Sequence, residues 1–121
     1  MLVVFTQGHA AAGTQPGSHS KLCLFSIDLA HRRQERVAEV HVKDSYMDSC
    51  ACAEGRLFAN NQIKDTILEF HVERDRIRFV AEHPGYDFPH GVDVHAGANL
   101  LAVSNFGSSS IRLDRIPPRL R

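Results

Sequence analysis

Apolar and polar residues alternate along most of this chain. Cys23, Phe25 and Ile27 are spaced by two, as are Leu68, Phe70 and Val72. A period of two places each set on one side of a half-buried β-strand. Val37, Val40 and Val42 follow the charged stretch 28–36, and Ile77, Phe79 and Val80 follow Glu73-Arg74-Asp75-Arg76. Both sets read as outer hairpin strands, whose exposed positions accept charge. Turn residues punctuate the runs at Glu54-Gly55, His83-Pro84-Gly85 and Ala96-Gly97-Ala98-Asn99. The stretch 30–40 contains helix-forming residues, but its apolar spacing is irregular and its flanks are β-branched. The pattern therefore predicts an all-β chain.

One segment occurs three times. Its clearest copy is Phe88-Pro89-His90-Gly91-Val92-Asp93-Val94, then Asn99-Leu100-Leu101-Ala102-Val103-Ser104-Asn105, then Ser110-Ile111-Arg112-Leu113. The middle copy is Met47-Asp48-Ser49-Cys50-Ala51-Cys52, then Gly55-Arg56-Leu57-Phe58-Ala59-Asn60-Asn61, then Thr66-Ile67-Leu68-Glu69-Phe70-His71-Val72. The first begins at Leu2-Val3-Val4-Phe5-Thr6 and resumes at Lys21-Leu22-Cys23-Leu24-Phe25-Ser26-Ile27. Phe25 and Phe70 are 45 positions apart, Phe70 and Leu113 are 43 apart, and Asn61 and Asn105 are 44 apart. A period of that length made of short strands is the spacing of a β-propeller blade.

The expected fold is thus a partial β-propeller of four-stranded antiparallel blades, incomplete in the first and last. With strands lettered A to D from axis to rim, residues 1–43 hold B (2–6), C (22–27) and D (36–42). Residues 44–83 hold A (46–52), B (57–60), C (66–72) and D (76–81), and residues 88–116 hold A (91–94), B (100–104) and C (110–116). Pro117-Pro118 ends the pairing, because proline lacks the donor that a ladder needs. Propellers close with about four to eight blades, so these 121 residues are too few for a ring. The chain is expected to be either a truncated or degenerate piece of something longer, or one part of a homo-oligomeric ring. In the second case other subunits supply the missing blades and cover the raw strand edges.

The third copy, Pro89-His90-Gly91-Val92-Asp93-Val94 with Asn99 to Ile111, resembles a blade of the lactonase-like propeller superfamily. That group includes 6-phosphogluconolactonase and muconate-lactonizing proteins. The likeness is good in the third copy, moderate in the second and poor in the first. It implies the propeller fold and, less specifically, lactone hydrolysis, because such blades occur in enzymes and non-enzymes alike. No glutamate completes a gluconolactonase-like metal set, and an arginine-rich phosphate clamp is not evident.

Propeller ligands sit on the loops joining D to A and B to C. Here those loops carry His9, His19, Asp44, Asp48, Asn60, Asn61, Gln62, His90, Asn105 and Phe106, all expected on one face. The ligand-binding candidates are His9, Asp48, Asn61 and Asn105. A hard divalent cation on the oxygens of Asp48, Asn61 and Asn105 would polarise a carbonyl, and His90 would serve as acid, base or donor. Plainer roles stand beside these. An imidazole after a proline at a strand entry caps backbone groups, and Asn61 and Asn105 end B strands at turns, where asparagine bonds its own backbone. Asp48 and Asp93 lie near the starts of A strands, where a carboxylate takes backbone donors. Cys50 and Cys52, two apart on a strand, do not have zinc-knuckle spacing and read as small buried thiols.

Charge narrows the partners. Fourteen basic and fourteen acidic side chains balance, so the basic footprint that nucleic acid requires is missing. No stretch approaches the roughly 20 apolar residues that span a bilayer. Three cysteines without a recognisable secretion signal point to reduced thiols and a cytoplasmic location. The function that fits best is binding of a small polar ligand or a partner protein at the loop-bearing rim. The alternative is a lactone hydrolase whose pocket other subunits complete.

Overall fold

The computed structural model describes residues 2–8 and 19–117, with side chains for 19–117. Among them ten strands follow one another: β1 (Leu2–Gly8), β2 (His19–Asp28), β3 (Arg33–Lys43), β4 (Cys50–Ala53), β5 (Arg56–Asn61), β6 (Thr66–Glu73), β7 (Arg76–His83), β8 (Pro89–His95), β9 (Leu100–Asn105) and β10 (Ser110–Arg115). They form three open antiparallel sheets, ordered β1-β2-β3, β4-β5-β6-β7 and β10-β9-β8. Every pairing joins consecutive strands. The chain is all-β, and no helix of the described residues is long and apolar enough to cross a membrane.

The three sheets stack face to face with β4–β7 in the middle. Alternation sends Leu57, Ala59, Leu68 and Phe70 to one side, where they pack with Leu22 and Leu24 of the first sheet. Phe58 and Ile67 go to the other side and pack with Leu101 and Val103 of the third. Strand β5 is consequently buried along its whole length. Removing a Phe or Leu side chain from water stabilises by about 1.5–3 kcal/mol each, so these two layers supply most of the adhesion between sheets.

The repeat seen in the sequence is also present in the backbone. A β-bulge interrupts β2–β3 between Leu24 and Phe25, and another interrupts β6–β7 between Glu69 and Phe70, 45 positions later. Left-handed φ values recur with the same spacing: Asp44 and Phe88 (52° and 46°), Glu54 and Asn99 (52° and 51°), Asp65 and Ser109 (54° and 52°). A bulky residue such as Phe88 is strained there. Its N–H donates to Asp65 Oδ1 at 2.8 Å, and its carbonyl accepts from Phe106 N at 3.0 Å, which holds it in place.

Strand β4 is shorter than the expected span 46–52. Residues 46–49 leave the regular ladder because side chains capture their N–H groups, while the carbonyls of Tyr46 and Ser49 still accept from Gln62 N and Asn60 N. Asn61 Oδ1 accepts from Tyr46 N (3.3 Å), and Asn60 Oδ1 accepts from Asp48 N (3.0 Å) and Ser49 N (2.9 Å). The cysteines also differ from expectation. Cys23 is buried, Cys50 is half-buried and Cys52 is exposed, because β4 is short and lies at the edge of its sheet.

Two polar clusters lie within the stack. Between the second and third sheets, Arg56 Nη2 donates to Glu69 Oε2 at 3.1 Å, and His83 Nε2 lies 2.9 Å from Glu69 Oε1. Nearby, the buried Tyr86 hydroxyl donates to Asp114 Oδ2 at 2.7 Å, with the Arg112 guanidinium 4.6 Å above its ring. Burial, followed by the bond to Asp114, pushes the Tyr86 hydroxyl well above the usual phenol range.

Two outcomes follow for stability. Phe70→Ala and Phe58→Ala, at fully buried positions, should each lower the urea-unfolding free energy by about 3–5 kcal/mol. Leu113→Ala, 67% exposed, should stay within about 0.5 kcal/mol. Because folding raises the Tyr86 pKa, its stabilising contribution is complete below the unfolded value near ~10 and is lost as pH climbs beyond it. Chemical denaturation between neutral and strongly alkaline pH should show that decline, and Tyr86→Phe should flatten it.

Candidate functional site

The loops entering β4 and β8 are fastened to the ends of β5 and β9 by side-chain amides and hydroxyls. Asn60, fully buried, accepts from Asp48 N and Ser49 N through its oxygen. Through its nitrogen it donates to Asp48 Oδ1 at 2.6 Å and Pro89 O at 2.9 Å. Asn61 Oδ1 accepts from Tyr46 N and Ile63 N, and its Nδ2 donates to Asp44 O at 3.2 Å. In the next repeat Asn105 Oδ1 accepts from Asp87 N at 3.0 Å, and Ser104 Oγ accepts from Gly91 N at 2.7 Å. Gly91 is needed at that close approach, since a Cβ there would lie 2.9 Å from Ser104 Oγ. The first sheet uses a serine pair in the same manner: Ser20 Oγ accepts from Met47 N at 2.9 Å and donates to Ser45 O.

This fastening decides the role of the asparagines. The Asn61 oxygen receives two backbone N–H groups and is not left open to a cation. The Asn105 oxygen likewise accepts the backbone N–H of Asp87. Their matched positions mark a repeated backbone clamp, the plainer of the two roles their spacing allows. Among the described residues no group of three or more His, Cys, Asp or Glu side chains is placed to hold a metal ion.

Asp48 and His90 do come together. Asp48 Oδ1 accepts from Asn60 Nδ2 and from Gln62 Nε2 at 3.1 Å, and Gln62 also reaches Oδ2 at 3.2 Å. His90 Nε2 approaches Asp48 Oδ2 at 3.5 Å. Two fixed amide donors thus hold the carboxylate, and an imidazole that is 58% exposed stands over it. Asp48 receives side-chain donors here; it is Asp93 that takes a backbone donor, from Val94 N at 2.9 Å.

A cavity of about 560 Å³ opens beside this pair, lined by His90, Ser104, Asn105, Phe106, Ser109 and Ile111 among others. The Phe106 ring is 6.4 Å from that of His90 and 5.9 Å from that of Phe88. Asn61 instead borders a separate cavity of about 270 Å³ with Val42, Lys43, Lys64 and Phe70. The structure therefore gathers His90, Asp48 and Asn105 in one region and places Asn61 at another. His9 lies outside the described residues. His19, at the start of β2, has its ring 6.5 Å from His41. Sequence reasoning missed Ser104 and Phe88: a serine at a strand end and a phenylalanine before Pro89 carry no chemical motif. The two-position offset between Asn60 and Gln62 was the available clue to the Asp48 cradle, since β5 ends between them.

Asn61→Ala should cost about 1–3 kcal/mol in thermal or urea unfolding, because two backbone donors and one acceptor lose their partner. Millimolar Ca2+ or Mg2+ should leave the melting midpoint of the parent chain unchanged; a clear upward shift would contradict the saturated amide oxygens. As to kinship, no protein-family model matches this chain, and no curated protein matches it.

Proposed function

We propose that the three sheets are blades of a partial β-propeller of the lactonase-like kind, and that the chain binds a small polar ligand at the His90–Phe106 cavity. The recurrence of bulges and left-handed turns at the blade period supports the first part. The carrying observation for the second is the exposed imidazole of His90, set between the cradled carboxylate of Asp48 and the 71% exposed ring of Phe106. An aromatic face with a few convergent polar groups is the usual make-up of a small-molecule site. Hydroxyls on Ser109 and Ser110 add donors and acceptors along the wall. Sugar acids and their lactones fit this chemistry: their ring faces stack on Phe106, and their oxygens bond His90 and the serines.

A second reading rests on the 3.5 Å approach of His90 to Asp48. A carboxylate that orients an imidazole makes it a better general base. Nδ1 of His90 would take a proton from water as the water oxygen bonds to the lactone carbonyl carbon. The ring C–O bond then breaks, and the proton passes to the departing oxygen, giving the hydroxy acid. This reading places the lactone-hydrolase alternative on named atoms and needs no cation.

Ligand-observed NMR with a panel of aldonolactones and aldonates tests the first reading, and a pH-stat assay of lactone opening tests the second. Binding should weaken at least tenfold, about 1.4 kcal/mol, in both His90→Ala and Phe106→Ala. Turnover, if His90 is a base, should fall by roughly 10²–10⁴ in His90→Ala. A panel without any His90-dependent binder rejects the cavity as the site.

A further inference from the structure

We propose that the crevice between the first and second sheets binds a free α-amino acid with an apolar side chain. The crevice is the cavity of about 270 Å³ that Asn61 borders, and it shares no lining residue with the His90 cavity. Its volume falls below the roughly 300–1,000 Å³ of drug-sized pockets, so its ligand is small. Val40 and Val42 of β3 border it from one sheet, and Leu68 and Phe70 of β6 from the other. Three charged side chains, Lys43, Lys64 and Glu82, border it as well. All three are exposed, and among the described residues none of them makes an ion pair or a side-chain hydrogen bond. His41 differs from them, because its Nε2 lies 2.7 Å from Glu39 Oε1.

Backbone register gives these groups an order along the crevice. Asn61 Nδ2 donates to Asp44 O and its Oδ1 accepts from Ile63 N, so one clamp holds the neighbours of Lys43 and Lys64 at the same end. Glu82 pairs with Leu68, and Phe79 pairs with Phe70. Leu68 and Phe70 face the first sheet, and cross-strand partners share a face. The two pairs are about 7 Å apart along the strand. From the Asn61 end the crevice therefore offers two ammonium groups, then a carboxylate, then an aromatic ring. An apolar amino acid presents the complementary groups in that order: a carboxylate, an ammonium and an apolar side chain. Its carboxylate accepts charge-assisted bonds from the lysines, and its ammonium donates to Glu82. Its side chain lies against Phe79, whose ring is 53% exposed and meets Phe70 edge-on at 5.7 Å.

The repeat supplies a contrast. A crevice between the second and third sheets is bordered by Pro84 and Tyr86, 44 positions after Val40 and Val42, and by Arg112 and Asp114, 44 positions after Leu68 and Phe70. There the polar groups are matched with one another. Arg112 Nε donates to Asp114 Oδ1 at 2.9 Å and its Nη1 to Gly85 O at 2.8 Å, while the Tyr86 hydroxyl donates to Asp114 Oδ2. Lys43, Lys64 and Glu82 stand beside an apolar floor without such matching. A zwitterion that carries an apolar group supplies both missing charges and covers the floor.

Ligand-observed NMR and titration calorimetry on the full chain test this, with L-phenylalanine, L-leucine, 3-phenylpropanoate, 2-phenylethylamine and glycine as probes. At least one of the two apolar amino acids should bind, and glycine and the two singly charged analogues should bind about tenfold more weakly or worse. Glu82→Gln should weaken the amino acid by about tenfold and leave 3-phenylpropanoate unchanged, whereas K43M/K64M should weaken both. These positions are exposed, so the melting midpoints of the variants should match the parent. A chain that binds neither amino acid at about 5 mM, beyond the weak end of ordinary affinities, overturns the proposal. Equal binding of 3-phenylpropanoate or of glycine overturns it too, since Glu82 or the apolar floor would then recognise nothing. Binding that persists in Glu82→Gln but is lost in His90→Ala places the ligand in the other cavity and likewise overturns it.

Discussion

Burial of the middle sheet on both faces is the constraint on which the rest depends. A half-buried antiparallel sheet can alternate apolar and polar residues, but β5 and β6 have neighbours on each side and must fill both. Leu57, Ala59, Leu68 and Phe70 hold one neighbour, and Phe58 and Ile67 hold the other. Loss of either layer would leave an open three- or four-stranded sheet with a bare apolar face, an arrangement prone to association. The loops that carry the candidate site are positioned by this stack and have little core of their own.

Within that frame, short polar side chains set the geometry of the loops. Each entry strand is tied to the end of the next strand in its sheet, or to the preceding sheet, by an amide or hydroxyl: Ser20 and Ser45, Asn60 and Asn61, Ser104 and Asn105. A buried backbone N–H without a partner costs about 1–3 kcal/mol, so these side chains cannot also serve as free ligands. The chemistry left facing solvent belongs to His90, Phe106 and the serines beside them. This division explains why the polar loops look rich in candidate ligands when seen as a string of letters and yet offer one compact group in space.

The strands were legible in the sequence because period-two spacing directly reports a sheet face; β5 and β6, with Leu57, Ala59, Leu68 and Phe70, are the clearest examples. The 44-residue repeat was legible for the same reason. The edges were less so. Residues 46–49 have strand composition, but Asn60 and Asn61 capture their N–H groups, and such a capture depends on where two loops meet. The pairing of His90 with Asp48 was hidden by the 42 positions between them, whereas the cradle formed by Asn60 and Gln62 could be seen only once the end of β5 was placed. The exposure of Cys52 likewise depends on the length of β4, which its own residues do not announce.

The contrast between the two inner interfaces bears on how sheets find their neighbours. Between the first and second sheets the contact is apolar: Leu22 and Leu24 meet Leu57, Leu68 and Phe70. Between the second and third, the aligned position holds Glu69, paired with Arg56 at 3.1 Å and with His83 at 2.9 Å, and both Arg56 and Glu69 are buried. A buried ion pair adds little net stability over an apolar pair of the same size, but an unmatched neighbour leaves a desolvated charge at a cost of several kcal/mol. The second sheet therefore discriminates against a neighbour that cannot accommodate Arg56, whose Nη1 also donates to the carbonyl of Pro117. The third sheet carries Leu113 and Leu100 where the second has Glu69 and Arg56. Its outer face therefore lacks the charged pair that the second sheet presents to its neighbour. Polarity at one repeated position is enough to set the order in which such sheets stack.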